Sequence, residues 1–400
     1  MQRFFFRLIG AALLLAAFGC GRSVPGVPID PVPANVPEAY RVLYRELEAE
    51  LSRLNPILAS RGRQSGPTIF GVELLAANRN PGAERLNEQV LQAAALTLDR
   101  LRQIGVTSVS LCIPYPILTR SFPGTPAYTE FYRKLAAEVR QRGLLLVVEM
   151  GTMSGASGVS RLTAGDSKLT REHFNTGLHE MAAAVLAEIH PDYLTVLSEP
   201  DTQTRNTGLA FSASQFAATV KSAVKGLDPG STWLGAGAGT WIALDYFKAL
   251  ADVPELNYLD LHIRPIQLGF ASDRVLKARD AARARGKVIA IGEAWLSKIS
   301  SREFGRIDPE EAFARDAYSF WEPLDERFVA TVVNLARSIP AEFCSFSGTD
   351  LLYAYVDYTP EASRLAPAQL LLTSHAAAAE KILAGTLNGT GERLKGLIAP

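Results

Sequence analysis

The stretch PAYTEFYRKLAAEVRQRGLLLVVEM, residues 126–150, holds one complete unit of the pattern that decides the fold. It reads as a helix from Pro126 to Arg142, a break at Gly143, and an apolar run Leu144–Met150. Thr125 stands at the expected N-cap and Pro126 at the first helical position, where a missing N–H costs nothing. Gly143 suits the left-handed residue that closes a helix. The run after it is almost wholly apolar, as in a strand covered on both faces.

The unit recurs in both directions along this α/β chain. Further strands are predicted over Thr68–Leu74, Ser108–Ile113, Tyr193–Ser198, Trp233–Ala238, Tyr258–Ile263, Val288–Glu293 and Glu342–Phe346. Helices are predicted over Leu86–Ile104, Thr170–Ile189, Ser212–Gly226, Ser272–Arg285 and Pro367–Leu383. Ser212 and Gln215 form a capping box, and Gly105, Gly226 and Gly286 repeat the role of Gly143. Eight strand–helix units predict a (β/α)8 barrel, the TIM barrel. Links from helix to strand are brief, as at Arg142-Gly143 and Arg285-Gly286-Lys287. Links from strand to helix are long: Gly151–Leu169, Asp201–Phe211, Trp295–Asp308 and Ser347–Ala366. Long loops at the C-terminal ends of barrel strands are where active sites form. A doubly wound open sheet would need a glycine-rich phosphate loop after an early strand. The Gly235–Gly239 run comes too late and lacks that spacing.

The barrel is expected over residues 68–385 as a single domain, with a tail at 386–400. Before it, residues 38–67 form an extra helix and linker. Tyr40, Leu43, Tyr44, Leu47 and Leu51 recur at helical spacing over Val36–Leu54, which reads as a plug or flank on the barrel bottom.

Charge narrows the partners. Lys and Arg number 41 against 41 Asp and Glu, without the basic surplus that phosphate recognition needs. With 48% hydrophobic residues the chain is no disordered segment, and 3 Cys supply no disulfide framework. Cys112 and Cys344 fall on strands two and eight, about 9 Å apart across strand one. That is too far for a disulfide, and both read as buried free thiols.

Residues 1–19 carry Arg3 and Arg7 and then the apolar run Leu8–Phe18. The run is short for a bilayer span and fits a secretory signal. Its end, Ala17-Phe18-Gly19-Cys20, resembles the lipobox of bacterial lipoproteins. That resemblance implies a lipid on Cys20, a mature N-terminus there, and anchorage in the cell envelope. Gly21, in place of the Asp associated with inner-membrane retention, implies the outer membrane where two membranes exist. Within residues 20–37, Pro25, Pro28, Pro31, Pro33 and Pro37 make an extended stalk.

Strand four ends Leu197-Ser198-Glu199-Pro200 and strand seven ends Ile291-Gly292-Glu293-Ala294-Trp295. Parallel strand ends converge on the barrel axis, so both carboxylates are expected at one mouth. Retaining glycoside hydrolysis needs two carboxyl groups about 5–5.5 Å apart, in different protonation states. Here the chain resembles the large clan of retaining glycoside hydrolases with an acid/base on strand four and a nucleophile on strand seven. The resemblance implies Glu199 as acid/base and Glu293 as nucleophile, a saccharide substrate and no cofactor or metal. It departs from the clan at Ser198, where Asn is usual, and at strand two, where Leu111–Tyr115 carries no Arg.

Other strand-end residues are candidates for substrate binding. His262 and Arg264 end strand six, Glu73 ends strand one and Glu149 strand three. Either Glu could instead pair with Arg264. Tyr115, Trp241 and Trp295 could stack on sugar rings or pin the loops. Two other functions remain open. Glu149, Glu199, His262 and Glu293 are also ligands that suit a divalent ion, as in a barrel enzyme acting on a sugar or phosphoester. The departure at Ser198 leaves room for a carbohydrate-binding barrel without turnover.

Overall fold

The computed structural model describes residues 31–60, 68–74, 85–152, 169–264 and 273–399. Eight parallel strands close into one barrel in chain order, and the last pairs with the first. They are β1 (Ile69–Glu73), β2 (Ser108–Tyr115), β3 (Leu145–Thr152) and β4 (Tyr193–Thr195), followed by β5 (Trp233–Gly239), β6 (Tyr258–Ile263), β7 (Val288–Ala294) and β8 (Phe343–Phe346). All eight strands expected from the sequence are present. β4 is shorter than expected, although Val196 N–H still donates to Gly235 O at 2.8 Å and Leu197 O accepts from Gly237 N at 3.0 Å. The chain therefore runs on beside β5 toward Glu199 after the regular ladder has ended.

Side chains of alternate residues fill the barrel from the bottom upward. At the N-terminal ends Val147, Tyr193, Tyr258, Ala290 and Phe343 form a closed apolar cluster. The Tyr193 and Phe343 rings lie 4.9 Å apart between centroids. Gly235 makes room for this layer, since a Cβ there would sit 2.2 Å from the Tyr258 ring. The Gly235–Gly239 run is thus a packing device of β5. One step up the strands, the interior turns polar. Ser110 and Ser345 hydroxyls meet at 2.7 Å, and Thr195 Oγ1 donates to Asp260 at 2.8 Å. Another two residues along β6 comes His262.

Outside lie α1 (Arg41–Ser60), α2 (Glu88–Gln103), α3 (Thr125–Gln141) and α4 (Arg171–Ala184), with a π turn at Val185–Ile189 ending α4. Then follow α5 (Pro200–Thr207), α6 (Ala213–Val224), α7 (Leu244–Ala251) and α8 (Asp273–Arg283). The last are α9 (Pro309–Arg315), α10 (Glu322–Ser338), α11 (Pro367–Ala384) and α12 (Gly389–Ile398). Gly105, Gly143, Gly226 and Gly286 all have positive φ, as helix closure requires. Ser212 and Gln215 form the capping box.

Four expectations are corrected. Thr125 is no N-cap: α3 starts on it, and its single hydroxyl proton lies among the Ile117, Thr119 and Phe122 carbonyls, with Thr119 O nearest at 2.6 Å, tying down the preceding turn. The expected first helix is present as a flank against α10, with Tyr44 stacked on Trp321 at 5.8 Å, but it runs over Arg41–Ser60 and not Val36–Leu54. The segment read as a tail contains α12, whose Leu394 is fully buried. Of the two thiols, both free, Cys344 is buried but Cys112 only partly so. Among the described residues no helix is long and apolar enough to cross a membrane. Residues 1–19, Cys20 and most of the stalk lie outside the described residues.

Candidate active site

Glu199 reaches the mouth through an unusual backbone. Its φ and ψ are 49° and 74°, a left-handed conformation that costs a non-glycine residue about 1 kcal/mol or more. Pro200 after it begins α5 and disfavours a right-handed helical residue before it. The turn is braced by Gln203, whose backbone N–H donates to Glu199 O at 2.9 Å and whose side chain donates to Ser198 O at 2.8 Å. Such braced strain is found where a side chain must be aimed.

Glu293 arrives by a different route. Ala290 and Gly292 alternate inward along β7, and Gly292 lies so close to Asp260 that a Cβ would meet its carboxylate at 2.3 Å. Gly292 N–H donates to Asp260 Oδ1 at 2.6 Å. The pairing register of β6 and β7 then shifts by one residue, so His262 is opposite Glu293. This irregularity re-aims the strand end and brings Glu293 to the mouth.

Glu199 and Glu293 meet around two cations. Arg264 Nη2 lies 2.7 Å from Glu199 Oε1 and 2.7 Å from Glu293 Oε2. These two oxygens are therefore separated by no more than twice that distance. His262 Nδ1 is 2.8 Å from Glu199 Oε1 and 3.3 Å from Glu293 Oε2. Thr202 donates to the other oxygen of Glu199 at 2.7 Å. Ser198 donates to Glu149 Oε1. His262 Nε2 is fully buried without a hydrogen-bond partner among the described residues, 3.6 Å from both Glu149 Oε1 and Asp260 Oδ2.

Protonation follows from these contacts. Burial pushes the Glu199 carboxyl upward, but Arg264, His262 and Thr202 outweigh it and hold the group well below the usual carboxylate range. Burial acts on Glu149 in the same sense. There the Glu293 and Asp260 charges add to it against His262 and Ser198, and Glu149 is raised to about 7. Burial would lower His262, yet Glu149, Asp260 and Glu199 together lift it well above its ordinary value. Two neighbouring glutamates thus differ near neutral pH: Glu199 is ionised, while Glu149 exchanges its proton there.

The strand-end aromatics divide. Trp241 donates its indole N–H to Asp201 at 2.9 Å. Arg264 lies 5.7 Å from the Trp241 ring and 5.6 Å from the Trp295 ring, so both flank the guanidinium. Trp295 is also stacked on Phe313 at 5.0 Å. Tyr115 corrects the expectation of a sugar platform: it is buried against Phe174 and Gly177 of α4, on the outside of the barrel wall. Glu73 is buried at the end of β1, where its carbonyl accepts from Thr349. Asp260, Thr202 and Gln203 were not singled out from sequence. Asp260 had a signal, since it lies two residues from His262 on one strand face.

Glu149, His262 and Glu293 each offer a ligand atom, all within 4.8 Å of one another. They could hold a divalent ion, although Arg264 already bonds Glu293.

No protein-family model matches this sequence, and no curated protein does. Solved structures resemble the fold. An exo-β-1,4-mannosidase from Opitutaceae bacterium strain TAV5 aligns over 85% of this chain at 13% identity and a TM-score of 0.50. The alignment spans 61% of that enzyme's own length. A family 30 endoxylanase from Clostridium papyrosolvens C71 aligns over 84% of this chain and 72% of its own, at 9% identity and a TM-score of 0.47. At such identities the likeness is one of fold, the (β/α)8 barrel.

Proposed function

We propose that this chain is a retaining glycoside hydrolase acting on a β-linked saccharide, held at the bacterial cell envelope by a lipid on Cys20. One observation carries the catalytic reading. A single guanidinium nitrogen lies 2.7 Å from a carboxylate at the strand-four end and 2.7 Å from one at the strand-seven end, so these two carboxyl groups approach each other no less closely than the pair of a retaining enzyme, about 5–5.5 Å apart. Glu293 attacks the anomeric carbon and forms the glycosyl-enzyme bond as the leaving oxygen departs. Glu199 protonates that oxygen, then takes a proton from the water that frees the sugar. To act as an acid Glu199 must first gain a proton, which Arg264 opposes. A sugar entering between the carboxylates displaces the guanidinium from Glu199, and burial then raises the carboxyl.

The test is a panel of aryl β-glycosides and β-linked oligosaccharides, with the anomer of the first product read by NMR. Net retention is expected, and E199Q and E293Q should each lower kcat by roughly 100- to 10,000-fold with unchanged circular dichroism. A 2-deoxy-2-fluoro glycoside should label Glu293. Inversion, or full turnover by both variants, would sink the reading. For the anchor, C20S should move the protein from the membrane fraction to the soluble one.

The Glu149, His262 and Glu293 donor set favours a second reading, a metal-dependent barrel enzyme acting on a sugar or phosphoester. An ion there would have to displace Arg264 from Glu293. Activity lost to EDTA and restored by a divalent ion would select this reading over the first. Intact saccharide affinity in both Gln variants, with no turnover by any form, would select a binding barrel.

A further inference from the structure

The retaining mechanism consumes two carboxylates, and the mouth holds a third. Glu149 ends β3 beside the pair, with 17% of its side chain exposed. One of its oxygens accepts from Ser198, and the other takes no hydrogen bond from the described residues. Around it stand Glu199 from the β4 end, Asp260 and His262 from β6, Glu293 from β7 and Arg264 beyond β6. Tyr258, one layer below, is neutral. Among the described residues, three carboxylates besides Glu149 (Glu199, Asp260 and Glu293) face two cations, Arg264 and His262, so acidic groups are in excess even with Glu149 protonated. His262 Nε2 is fully buried, points at Glu149 and Asp260, and has no hydrogen-bond partner among the described residues. As an imidazolium, His262 offers that nitrogen as a donor, so the acceptor left open among the described residues is the second Glu149 oxygen.

Resting on the retaining-hydrolase reading, we propose that the sugar bound between Glu199 and Glu293 is an amino sugar with a free ammonium group, which Glu149 receives. A substrate carboxylate or sulfate would add negative charge to a site that already has a surplus. A neutral hydroxyl could donate to Glu149 but would leave that surplus in place. An ammonium supplies up to three donors and one positive charge at the open oxygen of Glu149, where a charge-assisted bond is stronger than a neutral one. A divalent ion would need several ligands, one of which Arg264 already engages. An ammonium needs only the free acceptor.

The experiment compares kcat/KM for matched β-linked substrates in gluco and galacto configuration: 2-amino-2-deoxy, N-acetylated, neutral and uronic forms, each with EDTA present. The free amine should be preferred over its neutral counterpart by roughly tenfold or more, and E149Q should bring that ratio close to one. Equal or faster hydrolysis of the neutral, N-acetylated or uronic form would overturn the proposal and leave the hydrolase reading standing. An amine preference unchanged in E149Q would also overturn it. If no substrate is cleaved, the hydrolase reading fails, and titration calorimetry with glucosamine oligomers decides the cation site separately. Tighter binding to wild type than to E149Q would support it, and equal or absent binding would remove it.

Discussion

Arg264 sets the charge state of the mouth. It is held between Trp241 and Trp295 and bonds both glutamates. Its nearness to Glu199 keeps that carboxyl ionised in the free protein. On the proposed reading, in which Glu199 is the acid, kcat/KM reports the free enzyme, where a protonated Glu199 is scarce near neutrality, so kcat/KM should fall as pH rises from acid. R264Q removes the largest opposing charge, and the Glu199 pKa should rise. The falling limb of the profile should then move to higher pH. An unmoved limb would mean that Glu199 is not the acid.

At the scale of elements, the end of the chain holds more structure than its composition suggests. α12 packs along α10, and Arg337 on α10 donates to Leu397 O at 2.9 Å. Asn388 caps its start by accepting from Gly391 N at 2.9 Å. Leu394 is fully buried in this contact. Truncating it to alanine leaves a cavity, and L394A should lower unfolding stability by about 2–5 kcal/mol in a denaturant titration. A change under about 0.5 kcal/mol would show that α12 is dispensable. The segment looked like a tail because ten residues with three glycines make a weak periodic signal. Burial against α10 overrides that composition.

For the whole molecule, buried acids make stability depend on pH. Asp316, buried beside Lys298 and Asp325, is raised to about 7 by burial, with the Asp325 charge adding to it against Lys298. Glu149 is raised likewise and His262 lies well above its ordinary value. In the unfolded chain the two acids lose their protons near pH 4 and the histidine near 6.5. The folded state keeps those protons longer, so all three contributions are present at low pH and shrink as pH rises. Glu199 acts in the opposite sense, but only below its unfolded value. Tm should therefore fall by roughly 2–5 °C between pH 5 and pH 8, and D316N should flatten the part below pH 7. A Tm that climbs over that range would contradict the protonation states assigned to these groups.

The sequence by itself determined the barrel and which of its ends carries the long loops. Helix and strand periods are local, and the glycines at helix ends and the long loops after strands mark the two faces without any knowledge of contacts. It also located Glu199, Glu293, His262 and Arg264, because each stands where an apolar run stops. What joined them was tertiary. His262 lies 63 residues from Glu199 in the chain yet touches it, since barrel closure converts distance along the sequence into adjacency at the mouth. The register shift after Gly292, the left-handed turn at Glu199 and the outward burial of Tyr115 have no periodic signature. Each is settled by which neighbour occupies the space: Asp260 under Gly292, Pro200 and Gln203 around Glu199, and Phe174 against Tyr115. Charge is decided last. A glutamate's formula is the same at residues 149 and 199, but the cations beside one and the anions beside the other separate their protonation.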